Sequence, residues 1–204
     1  QVVVKQGLDL VLAGCGRRWD LRPLGAICRE LLDNGLKGPS EGQSIEDLLI
    51  RVVEPFVMGA QVTQVPRVVE PSVSSLHNLV RLGVLKGETG PGAVEQSPVA
   101  KVVMAVVRCG ESTDESVQLV VIEALTCFIS SPTFLLHGEC LLRAFRIMFN
   151  LSIGSSSERV ARAAGDALKV CLGKILGKAA ADHHAAKARE PCTPEAAAGA
   201  AGNG

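Results

Sequence analysis

Cys140 stands one helical turn after His137 in the segment Leu135-Leu136-His137-Gly138-Glu139-Cys140-Leu141-Leu142-Arg143-Ala144-Phe145-Arg146, the spacing of a Cys-His dyad in which an imidazole activates a thiol. The neighbouring residues favour a structural role. His137-Gly138 reads as a helix start, Cys140 runs straight into core leucines, and no acid or oxyanion motif accompanies them. Asp182-His183-His184 offers metal-ligating atoms, but consecutive side chains point apart on a helix and the segment lies in an Ala-rich tail. Gly87 to Gly92 is glycine-rich without the order of a phosphate-binding loop and follows no strong strand. Ser155-Ser156-Ser157 could accept phosphate, yet its place before Glu158 is accounted for by helix capping. No cofactor or metal is implied. The chemistry that remains is recognition: Arg143 and Arg146, three apart on one helix, offer a basic edge to an acidic partner.

The elements that position these residues are helices. With 47% apolar residues but only 3% aromatic, no Tyr and one Trp in 204 residues, the core must be built from Val, Leu, Ile and Ala, which suits helix-on-helix packing. Twenty-one basic residues balance 21 acidic ones, so no global field draws the chain to nucleic acid or an anionic membrane. The runs Val102 to Val107 and Leu119 to Ile122 fall far short of the roughly 20 residues of a membrane span. Seven cysteines without a C-x-x-C pair, mostly within apolar helical patterns, fit a reducing, cytoplasmic compartment. The start Gln1-Val2-Val3-Val4-Lys5 lacks an initiator Met and the order of a signal peptide, as expected of a piece of a longer product.

Periodicity and cap chemistry predict a helix over 2–14 and another from Pro23 to Asn34, stopped by Gly35. A third opens at Ser44-Ile45-Glu46-Asp47, with Pro55 set to kink or end it. Residues 59–71, with Pro66 and Pro71, read as loop before a weaker helix over 73–85. The run from Lys86 to Pro98 reads as an exposed connection. Pro98 to Gly110 is a further helix. Ser112-x-x-Glu115 caps the next, which carries Val117, Val120, Val121, Ala124, Leu125 and Phe128 to Ser130. A helix from Gly138 to Ile153 places Leu141, Leu142, Phe145, Met148 and Phe149 on one face. Ser155-x-x-Glu158 opens a last one with the stripe Val160, Ala164, Leu168, Cys171, Leu172 and Ile175. Residues 179–204 are too rich in Ala and Gly to offset their ordering entropy and read as a disordered tail. The fold expected is all-α, an armadillo/HEAT-like α-solenoid of antiparallel helix pairs over 1–178, with pairs repeating at roughly 40 residues.

The segments Thr113-Asp114-Glu115-Ser116-Val117-Gln118-Leu119-Val120-Val121-Ile122-Glu123-Ala124-Leu125, Leu136-His137-Gly138 and Leu141 to Leu151 resemble the dimerisation and cyclophilin-binding domain that opens the large brefeldin-A-inhibited, Sec-seven type guanine-nucleotide-exchange factors for Arf GTPases. Leu31-Leu32-Asp33-Asn34-Gly35-Leu36-Lys37-Gly38 is similar to that family's early helix and its glycine-containing exit. The resemblance implies a regulatory module at the periphery of Golgi and trans-Golgi membranes in vesicle traffic. Its implied contacts are self-association as a homodimer, the neighbouring regulatory domain of the parent protein, small GTPases of the Arf/Arl/Rab class and a cyclophilin, with membrane contact only indirect. The catalytic exchange domain of that family lies far downstream, so this chain is expected to have no exchange activity. A Mon-two-like or generic HEAT-type scaffold is the alternative. The contact region expected is the helix from His137 to Asn150, with His137, Arg143, Arg146 and Asn150 as contact residues.

Overall fold

The computed structural model describes residues 1–35, 45–89 and 97–189. Eight α-helices are present among them: α1 (Val2–Cys15), α2 (Arg22–Glu30), α3 (Ile45–Gln61), α4 (Pro66–Arg81), α5 (Pro98–Cys109), α6 (Glu115–Ser130), α7 (Gly138–Gly154) and α8 (Glu158–Arg189). Two-residue strands β1 (Gly87–Glu88) and β2 (Phe134–Leu135) pair in parallel. Residues Gln1–Cys171 form one compact unit; a second begins at Leu172, and its described part is α8, which continues to Arg189, past residue 178. Ser44, Leu36 to Gly38 and Gly90 to Gly92, to which the sequence reading gave roles, lie outside the described residues.

Within the compact unit the helices are stacked pairs: α1 against α2, α3 against α4 and α5 against α6, with α4 also touching α1 and α6, and α5 touching α3 and α7. The connections between α3 and α4 and between α5 and α6 are short, which turns each helix back on its predecessor. The run Val102-Val103-Met104-Ala105-Val106-Val107 makes α5 apolar all round, and all six of these residues are buried, as such a helix requires. The Cys109 thiol at its end donates to the Ala60 carbonyl at 3.0 Å, tying α5 to α3.

Two prolines do not break the helices that hold them. The sequence sets a kink or stop at Pro55, but α3 passes through it to Gln61. A proline in a helix interior costs about 3 kcal/mol. Val52, Val53, Phe56 and Ala60, on both sides of it, are buried, and full burial of a Val or Phe side chain contributes about 1.5–3 kcal/mol, so packing carries the helix through. The loop expected over 59–71 and the helix over 73–85 are likewise corrected to the end of α3 and a single α4, which takes Pro66 in its first turn and Pro71 inside. Pro71 has no N–H for the Arg67 carbonyl one turn back. That carbonyl faces Gly14 of α1 so closely that a Cβ at Gly14 would lie under 3.0 Å from it.

Two serines enter the core between α3, α4 and α1 with their hydroxyls satisfied, whereas the buried Ser130 Oγ has no hydrogen-bond partner among the described residues. The Ser72 hydroxyl donates to the Val68 carbonyl at 2.6 Å and the Ser75 hydroxyl to the Pro71 carbonyl at 2.7 Å, local bonds that remove the cost of burying them. Gly59 of α3 and Gly7 of α1 lie over these hydroxyls, each where an added Cβ would stand under 3.0 Å from the serine oxygen.

Caps differ from the expected boxes. Asp114, not Ser112, caps α6, its carboxylate accepting from the Ser116 amide at 2.9 Å and the Val117 amide at 3.2 Å. An aspartate directly before the first helical residue is one of the best caps, and Ser112 is left to receive the Asp114 amide at 3.2 Å. Ser157 rather than Ser155 precedes α8, its hydroxyl accepting from the Val160 amide at 3.4 Å. After Glu30 the chain widens into a π-helical turn, Leu31–Gly35, instead of continuing as α-helix to Asn34.

Candidate functional site

Helix α7 is held by both ends and one side, and its outward face carries the candidate site. At its start the stretch Lys86 to Pro98, expected to be an exposed connection, is anchored in its first part. The Gly87 amide donates to the Thr133 carbonyl and the Thr89 amide to the Leu135 carbonyl, both at 2.9 Å. Thr89 is 3% exposed. Its Oγ1 accepts from the His137 amide at 2.6 Å and donates to the His137 carbonyl at 3.3 Å. Gly138, at φ 51°, then turns the chain into the helix in a conformation that favours glycine. Along its inner side, Cys140, Ala144, Ile147, Met148 and Leu151 are buried, and Ile147 meets the backbone at Gly110 so closely that a Cβ there would clash with its Cγ2.

The inner side keeps Leu141, Phe145 and Met148 of the expected face but not Leu142 and Phe149. Leu142 is 65% exposed, Phe149 55% and Ile153 71%, whereas the sequence reading gave Leu142 and Phe149 to the core face. The apolar residues of α7 form two stripes: 140, 144, 147, 148 and 151 inward, flanked by the half-buried Leu141 and Phe145, and 142, 149 and 153 outward. At 100° per residue, Leu142, Arg146, Phe149 and Ile153 share one line on the helix, with Glu139, Arg143 and Asn150 beside it. The spacing of i, i+7 and i+11 was the available signal for the second stripe. A helix with apolar residues around more than half its circumference either is enclosed or shows a face. Leu172 in the expected α8 stripe is also exposed, at 49%.

The four expected contact residues are all solvent-exposed. Arg143, Arg146 and Asn150 lie on the outward face of α7, and His137 stands just before its first turn. Arg143 Nε donates to Glu139 Oε1 at 2.7 Å, and this hydrogen bond is the main reason the Glu139 carboxyl sits below its usual range. Arg146 makes no hydrogen bond or ion pair among the described residues. His137 Nε2 lies 4.0 Å from Glu88 Oε2, directed to β1 and away from the apolar stripe. The structure therefore brings Arg146 and Asn150 together with Leu142, Phe149 and Ile153, and sets His137 apart.

Nucleophilic chemistry finds no support in this geometry. Cys140 is 1% exposed, and burial raises its thiol pKa, the opposite of what a nucleophile needs. No hydrogen bond joins it to His137 among the described residues. No group of three or more potential metal ligands occurs among them, and the side chains of Asp182, His183 and His184 lie outside what is described. Ser155 and Ser157 are engaged in the turn before α8: Ser155 Oγ accepts from the Ser157 amide and donates to Gln118 Oε1, both at 3.3 Å. No helix among the described residues is long and apolar enough to cross a membrane. What the face can do is bind: an apolar ridge with a guanidinium and an amide beside it.

Comparison with known proteins points the same way. The model of a family described as Mon2/Sec7/BIG1-like, dimerisation and cyclophilin-binding domain matches residues 31–182. The chain is 29% identical over 129 residues, 61% of its length, to brefeldin A-inhibited guanine nucleotide-exchange protein 2 of Arabidopsis thaliana. It is 33% identical over 106 residues, 52% of its length, to protein 4 of the same series and organism, and 30% identical over 109 residues, 50% of its length, to protein 1 of Homo sapiens. These matches span only 7%, 6% and 6% of the respective relatives.

Proposed function

The chain belongs to the Mon2/Sec7/BIG1-like family of dimerisation and cyclophilin-binding domains, and on that premise we propose that it is the N-terminal regulatory module of a large Arf guanine-nucleotide-exchange factor. It acts in Golgi and trans-Golgi vesicle traffic by self-association and by contact with the parent protein's next regulatory domain, with small GTPases of the Arf/Arl/Rab class and with a cyclophilin. It carries no exchange activity of its own, and any membrane contact is through partners. The relatives named as exchange proteins support the parentage. The observation that carries an interaction role for the fold itself is the outward face of α7, where Leu142, Phe149 and Ile153 are more than half exposed beside Arg146. Large apolar side chains gathered on one face of a stable helix are a recognition surface more often than an accident.

The test is the double substitution Arg143→Glu/Arg146→Glu, with self-association followed by sedimentation and Golgi recruitment by imaging of the full-length parent. Loss of either is the expected result; no change in both would remove α7 from the contact region. Adding the chain to an Arf nucleotide-exchange assay should leave the spontaneous rate unaltered, and acceleration would overturn the regulatory reading. The family description also names Mon2, which favours a second reading, a scaffold without an exchange domain. Sequencing the full-length transcript separates the two, since only the first requires an exchange domain downstream.

A further inference from the structure

We infer that the outward face of α7 is a self-complementary seam, in which two copies of the chain pair their α7 helices antiparallel about a twofold axis, setting Leu142 of one against Ile153 of the other and Arg146 over Phe149. This inference rests on the self-association reading above and deepens it by assigning the surface and the register.

Three observations carry it. First, the exposed residues Leu142, Arg146, Phe149 and Ile153 are symmetric about the midpoint of the helix segment they span: 142 and 153 are equally far from it, as are 146 and 149. A twofold axis through that point makes every apolar residue of the stripe face a residue that completes it, which is the condition for an isologous interface. Second, charge decides the direction. Arg146 has no hydrogen bond or ion pair among the described residues, and a parallel twofold pairing would place it against its own copy. The antiparallel register places it over the Phe149 ring of the partner copy instead, where a guanidinium within about 6 Å of the ring centroid is attracted to the ring face. Glu139 and Arg143 stay paired to each other on the flank and introduce no unpaired charge into the seam. Third, the helix is rigid enough to present the stripe. Its start is fixed by Thr89 and its inner side by Ile147 against Gly110, so little ordering cost accompanies docking.

The seam is tested by charge replacement and rescue, read by sedimentation equilibrium of the full 204-residue chain. Leu142→Glu alone and Ile153→Lys alone should each weaken the dimer roughly thirtyfold or more, the cost of disrupting a central interface residue. The double substitution Leu142→Glu/Ile153→Lys should restore most of the association, because the register sets each Glu beside the other copy's Lys, while on one helix the two positions are three turns apart. Both sites are exposed, so far-ultraviolet circular dichroism and the melting temperature should be unchanged, and a variant that fails this control is replaced by Leu142→Gln or Ile153→Gln. A dimer that survives both single substitutions would show that another surface mediates association, leaving the self-association reading intact. Two single losses without rescue would overturn the antiparallel register. A wild-type chain that stays at 21.4 kDa throughout the accessible concentration range would overturn self-association itself, and with it the seam, and would assign the stripe to a different protein partner.

Discussion

The Thr89 hydroxyl spans the His137 peptide, accepting from its N–H at 2.6 Å and donating to its carbonyl at 3.3 Å. No side chain caps α7, so this one residue, buried 48 positions earlier in the chain, sets where α7 begins. Thr89→Val keeps the shape and removes the bonds. Leaving the partly buried His137 amide without this partner costs about 1 kcal/mol, which urea titration will register as a lower midpoint at unchanged slope. Thr89→Ser should retain most of the stability.

Gly59 and Ser72 form a tight contact between α3 and α4. Gly59→Ala should destabilise by about 1–3 kcal/mol through overpacking, since its Cβ meets the Ser72 hydroxyl. Removing that oxygen with Ser72→Ala relieves most of the conflict, so the double variant should be more stable than the sum of the single changes predicts. Additivity in this double-mutant cycle would show that α3 and α4 simply move apart.

The α6 cap predicts a pH effect at the acid end. The Ser116 hydroxyl, followed by the Val117 and Ser116 amides, holds the Asp114 carboxyl below its ordinary range. A lowered folded-state pKa means that the cap's contribution is present above the unfolded value and is lost as pH falls through the folded one. Asp114→Ala should cost about 0.5–2 kcal/mol near neutrality. The difference from wild type should shrink as the pH drops below the ordinary aspartate range, as thermal melts across an acid series will show.

Cys109 predicts one at the alkaline end. Burial pushes its thiol up to about 12, while in the unfolded chain it titrates near the usual ~8.5. With the folded value raised, stability is complete below the unfolded pKa and declines as pH rises toward the folded one, by about 1.4 kcal/mol per pH unit for this group. Stability measured by urea between pH 8 and pH 11 should therefore fall less steeply in Cys109→Ala than in the wild-type chain. Equal slopes would mean that the site is hydrated in solution.

What the sequence made legible was what neighbouring residues decide among themselves. Val117, Val121, Ala124, Leu125 and Phe128 keep one stripe over more than three turns, and they form the buried face of α6 as expected. Pro98 opens α5 in its first turn and Gly110 follows its last residue, as expected, although Gly110, at φ −65°, makes no use of glycine's left-handed freedom. Pro55 and Pro71 were misleading because their local cost is outweighed by burial that depends on other helices. Thr89 was invisible as an anchor because its partner lies 48 residues away. At α7 the element was right and the face partly so: Leu141, Phe145 and Met148 pack on the core, while Leu142 and Phe149 do not. The sequence holds two apolar stripes, and packing against α5 and α6, with Ile147 against Gly110 among its contacts, determines which one turns inward. The basic edge at Arg143 and Arg146 was placed on the exposed side, but the apolar residues that give it something to border were assigned to the core.

The all-round apolar character of α5 sets a condition on how the chain can be made. Val102-Val103-Met104-Ala105-Val106-Val107 is uncharged, rich in β-branched residues and free of proline, the composition of segments that stack into cross-β aggregates. In the folded unit it is harmless because α3, α6 and α7 enclose it. During synthesis its covers α6 and α7 emerge after it, so the six residues are left bare for as long as it takes those helices to arrive. Lys101 and Arg108, exposed at either end of the run, stand where solvating charges discourage one nascent chain from adding to another. They are gatekeepers whose replacement by apolar residues would leave the finished fold almost untouched and lower the yield of soluble protein.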